Sequence, residues 1–382
     1  MTGFYGWESM LASRLGPLEQ EGLLRRPRIV EERRGVEILI EGRWLLNFSS
    51  NDYLGLSTDA RLAEVVSQEA LRIGVGSGSA HLVTGHCGAH QALEEELADF
   101  LGYEKALVFS TGYMANLGVL SALAGRHSTI YQDRLNHASL LDGARLSGAR
   151  LMRYAHGKLP EIPDEKGLRT LIVSDGVFSM DGDLARVREL GALAHERGAL
   201  LVIDDAHGIG VLGADGRGVL DVFRLGATEV PVLIGTLGKA FGTFGAFVAG
   251  SEVLIRYLTQ KARTYIYTTA IPASIAEASR RALRIVRDES WRRCHLQGLI
   301  EYFRSGASGL GIPLAPSMSP IQPLMVGGAQ QATQLSLQLQ EKGILLAPIR
   351  PPTVPPGTAR LRCTLTAGHT FGDIDRLLDA LS

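Results

Sequence analysis

The 382-residue sequence predicts an α/β fold, with a large domain built on a mainly parallel sheet flanked by helices and a smaller C-terminal α/β domain. Short apolar β-type segments alternate with helical segments between residues 91 and 249, as in right-handed βαβ units. A long helical stretch then precedes three further β-type segments. The chain is also longer than one hydrophobic core usually supports. We expect an N-terminal helix and hairpin in residues 1–50, a large domain in 51–270, and a small domain in 271–382 that includes the N-terminal segment.

Composition excludes several classes of protein. Lys and Arg number 39 against 40 Asp and Glu, a net charge of -1 that does not favour binding to nucleic acid or to a membrane surface. No N-terminal targeting pattern and no apolar run of membrane-spanning length occurs. The three cysteines, Cys87, Cys294 and Cys363, are widely spaced and fit neither a disulfide framework nor a zinc site. We therefore expect a cytoplasmic protein without a metal.

The N-terminal region predicts a helix and a hairpin. Residues 7–26 have an amphipathic pattern that Gly16-Pro17 interrupts or ends, and residues 38–40 and 44–48 read as paired strands. The glycine cluster in residues 74–79 follows no convincing strand, so it is not a dinucleotide-binding fingerprint. A turn or a subunit contact explains it better.

The central region places polar residues directly after its β-type segments. The segments are residues 106–109, 129–131, 171–173, 200–203 and 232–234, with helical patterns at residues 91–101 and 187–197. The residues that follow the strands are Gly112, His137, Ser179, Asp204, His207 and Lys239. Ligands bind at the carboxyl ends of parallel strands. Each residue also has an ordinary structural interpretation: Asp204 could cap a helix, and either histidine could be a hydrogen-bonded core residue. Six such residues on one edge of the sheet nevertheless indicate a ligand-binding site.

Lys239 lies in a glycine-rich loop between the apolar segments 232–234 and 246–249. Low-dielectric surroundings disfavour its ammonium form, and a neutral lysine can form a Schiff base with a carbonyl. Taken alone, it is more simply a solvated loop lysine. Gly112 opens a helix directly after a strand, an arrangement that binds anions, although an ordinary capped helix has the same pattern.

This set of side chains matches the chemistry of pyridoxal phosphate. Lys239 would hold the aldehyde, and the carboxylate of Asp204 would keep the pyridine nitrogen protonated. The remaining roles are contact with the phenolic oxygen by Ser179 and His207, stacking on the ring by His137, and phosphate binding by Gly112, Tyr113 and Thr236.

The last region predicts the small domain. A helical pattern runs from Ile271-Pro272 to about residue 305, and strands are expected at residues 321–326, 344–347 and 359–365. Residues 348–356 are rich in proline and predict a stiff loop that forms a wall of a substrate channel.

Five motifs resemble the α-oxoamine synthases, which are fold-type I pyridoxal phosphate enzymes. The motifs are Asn51-Asp-Tyr-Leu-Gly, Asp133-Arg-Leu-Asn-His-Ala-Ser, Gly176-Val-Phe-Ser-Met-Asp-Gly-Asp, Asp204-Asp-Ala-His-Gly and Thr236-Leu-Gly-Lys-Ala-Phe-Gly. The resemblance runs from about residue 25 to the C-terminus. Such enzymes condense an amino acid with an acyl thioester and release carbon dioxide. Tyr113 departs from the phenylalanine common at this position, a change that a backbone contact to phosphate would survive.

The resemblance implies further roles. Lys239 also acts as the base at the substrate α-carbon, and Arg362 binds the substrate carboxylate with help from Asn51. His137, Arg25 and Thr353 match substrate-contact positions. The segment Tyr265-Ile-Tyr-Thr-Thr269 matches one that reaches the phosphate of a neighbouring subunit, through Thr268 or Thr269, and implies a homodimer with shared active sites.

The stretch from Pro351 to Ala367 narrows the expected substrates. It most resembles the family member that joins L-alanine to a pimeloyl thioester, carried by coenzyme A or by acyl carrier protein. An α-oxoamine synthase that uses glycine or serine and another acyl-CoA would share every cofactor residue. A binding module without cofactor would keep the fold but would not need Lys239.

Overall fold

The computed structural model describes residues 3–21, 23–163 and 169–382, and the chain divides into two compact units. Residues 51–297 form one, the large unit, and residues 1–50 with 298–382 form the other, the small unit. The boundary after Gln297 lies further along the chain than the one predicted after residue 270. The reason is that the helix Ala273–Asp288 packs against two helices of the large unit, Ala60–Ile73 and Gly88–Leu101.

The N-terminal part of the small unit is a helix followed by a small sheet. Its elements are α1 (Gly3–Gln20), β1 (Glu32–Arg34), β2 (Glu37–Ile40) and β3 (Arg43–Asn47). The hairpin prediction is confirmed by the antiparallel pairing of β2 with β3. The helix prediction was wrong at its end, because α1 continues through Pro17 but stops at Gln20 rather than Arg26. Leu23 N–H donates to Leu18 O at 2.7 Å, a bond of the kind that closes helix C-termini. Residue 22 lies outside the described residues.

The large unit alternates strands and helices around one sheet. Its elements are α2 (Ala60–Ile73), a π-helix (His81–Gly85), α3 (Gly88–Leu101), β4 (Lys105–Phe109), α4 (Gly112–Leu123), β5 (Ser128–Asp133), α5 (Ala138–Ser147), β6 (Arg150–Tyr154), β7 (Arg169–Asp175), α6 (Val187–Glu196), β8 (Leu200–Asp204), α7 (Val219–Phe223), β9 (Val232–Thr236), β10 (Ala246–Gly250), α8 (Glu252–Lys261), α9 (Arg263–Ile266) and α10 (Ala273–Asp288).

The seven-stranded sheet has the order β4-β10-β9-β8-β7-β5-β6. Strands β9, β8, β7, β5 and β6 are parallel, and only β10 runs antiparallel to its neighbours β9 and β4, so the mainly parallel sheet is confirmed. Asp175 pairs in register with Asp204, which aligns the carboxyl ends of β7 and β8. Val202, Val232 and Ile234 pack with Val119 and Leu120 of α4 in the core.

The C-terminal part of the small unit follows. Its elements are α11 (Trp291–Gly309), which begins within the large unit, β11 (Ile321–Gly327), α12 (Ala329–Glu341), β12 (Ile344–Leu345), β13 (Ala347–Ile349), β14 (Ala359–Thr364) and α13 (Phe371–Leu381). The long helical stretch is in fact two helices, because Ser290 O accepts from Arg293 N–H and begins a new turn. The three predicted strands are confirmed, but residues 344–347 are shared between two sheets, β1-β2-β3-β12 and β11-β14-β13. Within the described ranges, no helix combines the length and apolar character needed to span a membrane.

Candidate active site

A cavity of about 190 Å³ lies at the carboxyl ends of the parallel strands of the large unit. It is lined by Gly112, Tyr113, Asn116, His137, Ser139, Asp175, Ser179, Asp204, Ala206, His207, Thr236 and Lys239. All eight residues predicted from the sequence to contact the cofactor are therefore brought together. The sheet accounts for this, because its register places the ends of β7, β8 and β9 side by side.

The connection between β9 and β10 holds Lys239 in a compact loop. Leu237 N–H donates to Gly245 O at 2.9 Å, and Gly242 N–H donates to Lys239 O at 2.9 Å. Leu237 and Phe241, which belong to this loop, are fully buried. Gly242 has φ +66°, and a Cβ added there would lie 2.4 Å from the backbone nitrogen of Ser57, so only glycine fits this turn. The lysine therefore projects from a fixed backbone.

Lys239 begins a chain of hydrogen bonds that leaves the cavity. Its Nζ lies 2.8 Å from His207 Nε2, and His207 Nδ1 lies 2.7 Å from the hydroxyl of Tyr53. Tyr53 donates that hydroxyl proton to Asn51 Oδ1 at 3.2 Å. One hydroxyl proton cannot serve two acceptors, so His207 Nδ1 carries a proton and Nε2 accepts from the lysine amine. The chain thus links Asn51, a predicted substrate residue, to Lys239.

Asp204 presents its carboxylate at the end of β8. Its Oδ1 accepts from Ala206 N–H at 3.0 Å and its Oδ2 accepts from Asn116 Nδ2 at 2.6 Å. Asn116 also donates to Ser139 Oγ at 2.7 Å. Two bonds fix the orientation of the carboxylate, and a carboxylate has about four acceptor sites. Asp204 can therefore accept a further bond from a protonated group in the cavity.

Two other carboxyl groups at the strand ends, those of Asp175 and Asp205, are buried and accept hydrogen bonds from the backbone. Burial raises the pKa of Asp175 and of Asp205 well above the ordinary range. Asp175 Oδ2 accepts from His137 N–H at 2.8 Å, and Asp205 Oδ2 accepts from Val219 N–H at 2.8 Å. A Cβ on Gly218 would lie 1.9 Å from Asp205 Oδ2, so the Asp205 side chain fills the space that this glycine leaves. Asp205 does not line the cavity, whereas its neighbour Asp204 does.

His137 caps the N-terminus of α5 at the mouth of the cavity. Its Nδ1 lies 2.7 Å from Ser139 Oγ and accepts from Ser139 N–H at 3.3 Å. His137 lines the cavity. Burial by the surrounding protein lowers the pKa of His137, while the charge of Asp204 acts in the opposite direction. The imidazole is therefore neutral near pH 7, which suits it for packing against a flat ring.

The N-terminus of α4 forms another part of the wall. Thr111 Oγ1 accepts from Met114 N–H at 3.1 Å and caps the helix. A Cβ on Gly112 would meet no atom within 4 Å, so the space in front of this helix end is open. Tyr113 directs its hydroxyl to Asp142. Thr236 Oγ1 donates to Gly245 O at 3.0 Å and accepts from Gly238 N–H at 3.2 Å, so its hydroxyl also closes the Lys239 loop.

These residues fit pyridoxal phosphate. An amine on a rigid loop, a carboxylate with a spare acceptor site, and an open helix N-terminus are the groups that an aldehyde, a pyridine nitrogen and a phosphate require. Among the described residues, no group of three or more His, Cys, Asp or Glu side chains is arranged to hold a metal ion.

The remaining predicted substrate residues belong to the small unit. Arg25 Nη2 donates to Thr353 Oγ1 at 3.4 Å. Arg362 lies in β14, opposite Pro323 of β11, and both Arg360 and Arg362 are buried. The structure thus pairs Arg25 with Thr353 and leaves the choice between the two strand arginines to the family resemblance.

Five cavity or network residues had no assigned role in the sequence interpretation: Tyr53, Asn116, Ser139, Asp175 and Ala206. Asn116 lies one helical turn after Gly112, so helical periodicity indicates that it faces the same side. Tyr53 stands two residues after Asn51, within a motif already singled out. Ser139 and Asp175 act through hydrogen bonds to residues far away in sequence, and no local pattern indicates those partners.

Comparison with known proteins places the chain among enzymes. The family model for class I and II aminotransferases matches residues 43–381. An 8-amino-7-oxononanoate synthase from Methylococcus capsulatus is 55% identical over 375 residues, covering 97% of each chain. A serine palmitoyltransferase from S. paucimobilis, solved with a bound adduct of pyridoxal phosphate and myriocin, has a TM-score of 0.91 at 29% identity and covers 100% of this chain and 97% of its own. An 8-amino-7-oxononanoate synthase from Francisella tularensis has a TM-score of 0.77 at 34% identity, covering 88% of this chain and 96% of its own.

Proposed function

We propose roles for individual residues from the premise that this chain belongs to the 8-amino-7-oxononanoate synthases, within the class I and II aminotransferase family. The chain is accordingly a pyridoxal phosphate-dependent acyltransferase of biotin biosynthesis. It joins L-alanine to a pimeloyl thioester, with release of carbon dioxide and the free carrier, to give 8-amino-7-oxononanoate. The observation that carries the residue roles is the cavity in which Lys239, His207 and Asp204 converge.

Lys239 and Asp204 have the central roles in this proposal. Pyridoxal phosphate, when bound, supplies an electron sink that stabilises negative charge at the α-carbon of the amino acid. Lys239 Nζ would hold the cofactor, and the same amine, once free, would remove the α-proton of the bound amino acid. Asp204, fixed by Asn116 and Ala206, would keep a proton on the ring nitrogen.

The histidine beside Lys239 assists the proton transfer. An amine that accepts a proton becomes an ammonium with another N–H to donate, and His207 Nε2 lies 2.8 Å away as an acceptor. Tyr53 and Asn51 hold His207 in the tautomer that can accept this bond. The network therefore orients the base and stabilises its protonated form.

The other cavity residues bind and orient. We assign Gly112 and Tyr113 to the phosphate through backbone amides, with Thr236 at the same end. Ser179 and His207, which line the cavity, would contact the phenolic oxygen of the cofactor. His137 would pack against the ring face as a neutral imidazole, would also contact substrate, and would thereby exclude water from that face.

We assign the alanine carboxylate to Arg362, with Asn51, Arg25 and Thr353 as further substrate contacts. A guanidinium can grip a carboxylate with two parallel hydrogen bonds, which a lysine cannot reproduce. This assignment rests on the family resemblance, since Arg360 and Arg362 project from the same face of β14 and are both buried.

Replacing Arg362 with alanine is expected to weaken alanine binding by about tenfold to over a hundredfold, because charge-assisted hydrogen bonds of this kind contribute roughly 1.5–3 kcal/mol. The cofactor should still bind, since its proposed contacts lie elsewhere. Titration with alanine, followed by the visible absorbance of the cofactor, measures the effect. Arg360→Ala is the matched control. Normal alanine binding in Arg362→Ala together with weakened binding in Arg360→Ala would transfer the role to Arg360.

A product assay tests the proposed function. The purified protein is supplied with alanine, glycine or serine and with pimeloyl-CoA, pimeloyl-acyl carrier protein or another acyl-CoA, and the products are identified by mass spectrometry. We expect 8-amino-7-oxononanoate from alanine and a pimeloyl thioester. Comparing the rates with pimeloyl-CoA and with pimeloyl-acyl carrier protein shows which donor is preferred. Efficient product formation only from glycine or serine with another acyl group would contradict the proposal.

We also propose that the enzyme is a homodimer with shared active sites. The residues from Tyr265 to Thr269 carry the family resemblance, and Thr269 is bridged to Ala80 beside the π-helix. Around this bridge Tyr267 is 71% exposed and Val83 is 74% exposed. Exposed apolar side chains that cluster in this way mark interaction surfaces, and two-fold pairing is the commonest oligomeric state.

Sedimentation at micromolar protein concentration should reveal a dimer. Val83→Asp is expected to shift the protein towards monomer and to lower activity in parallel, because it introduces a charge into the proposed contact. A wild-type protein that sediments as a monomer while fully active would refute shared active sites. For the location of the reaction we propose the cytoplasm, supported by cysteines Cys87, Cys294 and Cys363 that form no disulfide.

A further inference from the structure

His156 lies outside the cavity and bridges two loops that each carry a cavity residue. We propose that His156 is a positioning residue that fixes the loop carrying Ser179 against the turn carrying His137, and thereby sets the affinity for the cofactor. The inference rests on the proposed cofactor roles of Ser179 and His137. Three contacts support it: a hydrogen-bonded contact to each loop, and the packing of the ring against Phe178.

The first contact joins His156 to the turn that leads to His137. His156 Nδ1 lies 3.1 Å from Asp133 Oδ1 and 3.2 Å from Asp133 Oδ2, at the end of β5. The same carboxylate accepts from Leu135 N–H at 2.8 Å and from Gly157 N–H at 3.2 Å. Asp133 thus shapes the turn from β5 to α5, and its side chain is only 3% exposed. A change in Asp133 would be transmitted along this short turn to His137.

The second contact joins His156 to the hairpin of residues 177–184, which carries Ser179. His156 Nε2 lies 2.9 Å from Asp183 Oδ2. Asp183 closes the hairpin, because Phe178 N–H donates to Asp183 O at 2.9 Å and Gly182 N–H donates to Phe178 O at 2.8 Å. Ser179 follows Phe178 within this closed loop. Anchoring Asp183 therefore fixes the position of Ser179 in the cavity wall.

The ring is packed as well as bonded. His156 meets the edge of Phe178 with ring centroids 4.4 Å apart and planes at 90°. The side chain of His156 is 30% exposed, so its bonds are partly shielded from water. With one nitrogen directed at each loop, the imidazole acts as a rigid spacer whose length is fixed by the ring.

The charge of His156 strengthens both bonds. Asp133 and Asp183, the charged groups that face the ring from β5 and from the hairpin, raise the pKa of His156 to about 10. Because the pKa is raised, His156 stays protonated above the ordinary histidine pKa and loses its proton only as the pH rises through about 10. Both ring nitrogens then donate to carboxylates, which makes charge-assisted bonds. Near neutral pH the bridge is therefore fully formed.

His156→Gln and Asp183→Asn test the proposal, with His195→Gln, a histidine on the exposed side of α6, as the control. The measured quantity is the dissociation constant of pyridoxal phosphate, obtained by titrating the stripped proteins and following absorbance and fluorescence. We expect His156→Gln to weaken cofactor affinity about tenfold, since glutamine cannot direct two donors in opposite directions. His195→Gln should match wild type. Thermal unfolding of the stripped proteins shows whether each variant is folded.

The pH dependence separates positioning from a general loss of stability. In Asp183→Asn one of the two carboxylates is gone, so the pKa of His156 falls towards its ordinary value. Cofactor affinity in this variant should decrease as the pH rises from 6 to 9. The double variant His156→Gln/Asp183→Asn should lose that dependence, because no imidazole remains to titrate. Wild type should vary much less over the same range.

The outcomes distinguish this inference from the proposed function. If wild type does not bind pyridoxal phosphate at all, the proposed function itself fails. If wild type binds and both His156→Gln and Asp183→Asn bind equally well at every pH, the positioning role of His156 is overturned. Weakened affinity in His156→Gln together with a pH dependence in Asp183→Asn that vanishes in the double variant supports it.

Discussion

Lys239→Ala is expected to abolish turnover and the visible absorbance that marks covalently held cofactor. In the proposed mechanism, this variant lacks both the nucleophile that would hold the cofactor and the base that would remove the α-proton. A positioned base alone contributes on the order of 10²–10⁴ in rate, so we expect a loss of at least ~10³-fold. Steady-state assays and the absorption spectrum measure the two effects.

Lys261→Ala is the control for this prediction, because Lys261 is an exposed lysine at the end of α8. It should retain wild-type activity and absorbance. The stripped Lys239→Ala protein should be as thermally stable as stripped wild type, since the loop is held by Leu237, Phe241 and Gly245 rather than by the lysine. Appreciable turnover in Lys239→Ala would show that another residue acts as the base.

Asp204→Asn is expected to have the second largest effect. A neighbouring charge shifts a pKa by about 1–3 units, and each unit corresponds to 1.36 kcal/mol. Loss of the carboxylate charge should therefore lower kcat by about tenfold to a thousandfold, because the ring nitrogen no longer retains its proton. Some cofactor should still bind, since asparagine is nearly isosteric and Asn116 can donate to its amide oxygen.

Asp205→Asn provides a matched comparison at the adjacent position. Burial raises the pKa of Asp205 well above its ordinary range, which disfavours the charged form, and asparagine is neutral and nearly isosteric with the carboxyl group. Its amide oxygen can accept from Val219 N–H as the carboxyl does. Asp205→Asn should therefore retain activity within a few-fold of wild type. The reverse order of effects, with Asp205→Asn inactive and Asp204→Asn active, would assign the ring nitrogen to Asp205.

The residues that line the cavity could be predicted from the sequence because of the geometry of parallel sheets. Gly112, Ser179, Asp204 and Lys239 each follow a short apolar strand, and parallel strands place their carboxyl ends on one edge. The residue types at these positions then indicated a chemical role for each of them. The sequence predicts a role for Asp204, but only the structure reveals that the adjacent Asp205 faces away into space left by glycines.

The parts that were missed depend on long-range contacts. Tyr53 reaches His207 across 154 positions of sequence, and Asn116 reaches Asp204 across 88, so no periodicity indicates either bond. The end of α1 and the break between α10 and α11 were also misjudged. Helix ends are set by individual capping bonds, such as the one from Leu23 to Leu18, which propensity does not reveal.

Borohydride reduction followed by peptide mapping tests the central claim, that Lys239 holds the cofactor, most directly. Reduction converts the covalent link to a stable amine, which marks the attached lysine by mass. The account predicts a single pyridoxyl adduct, on the peptide that contains Lys239, with loss of activity in proportion to its formation. An adduct on any other lysine, in a protein that makes 8-amino-7-oxononanoate, would contradict it.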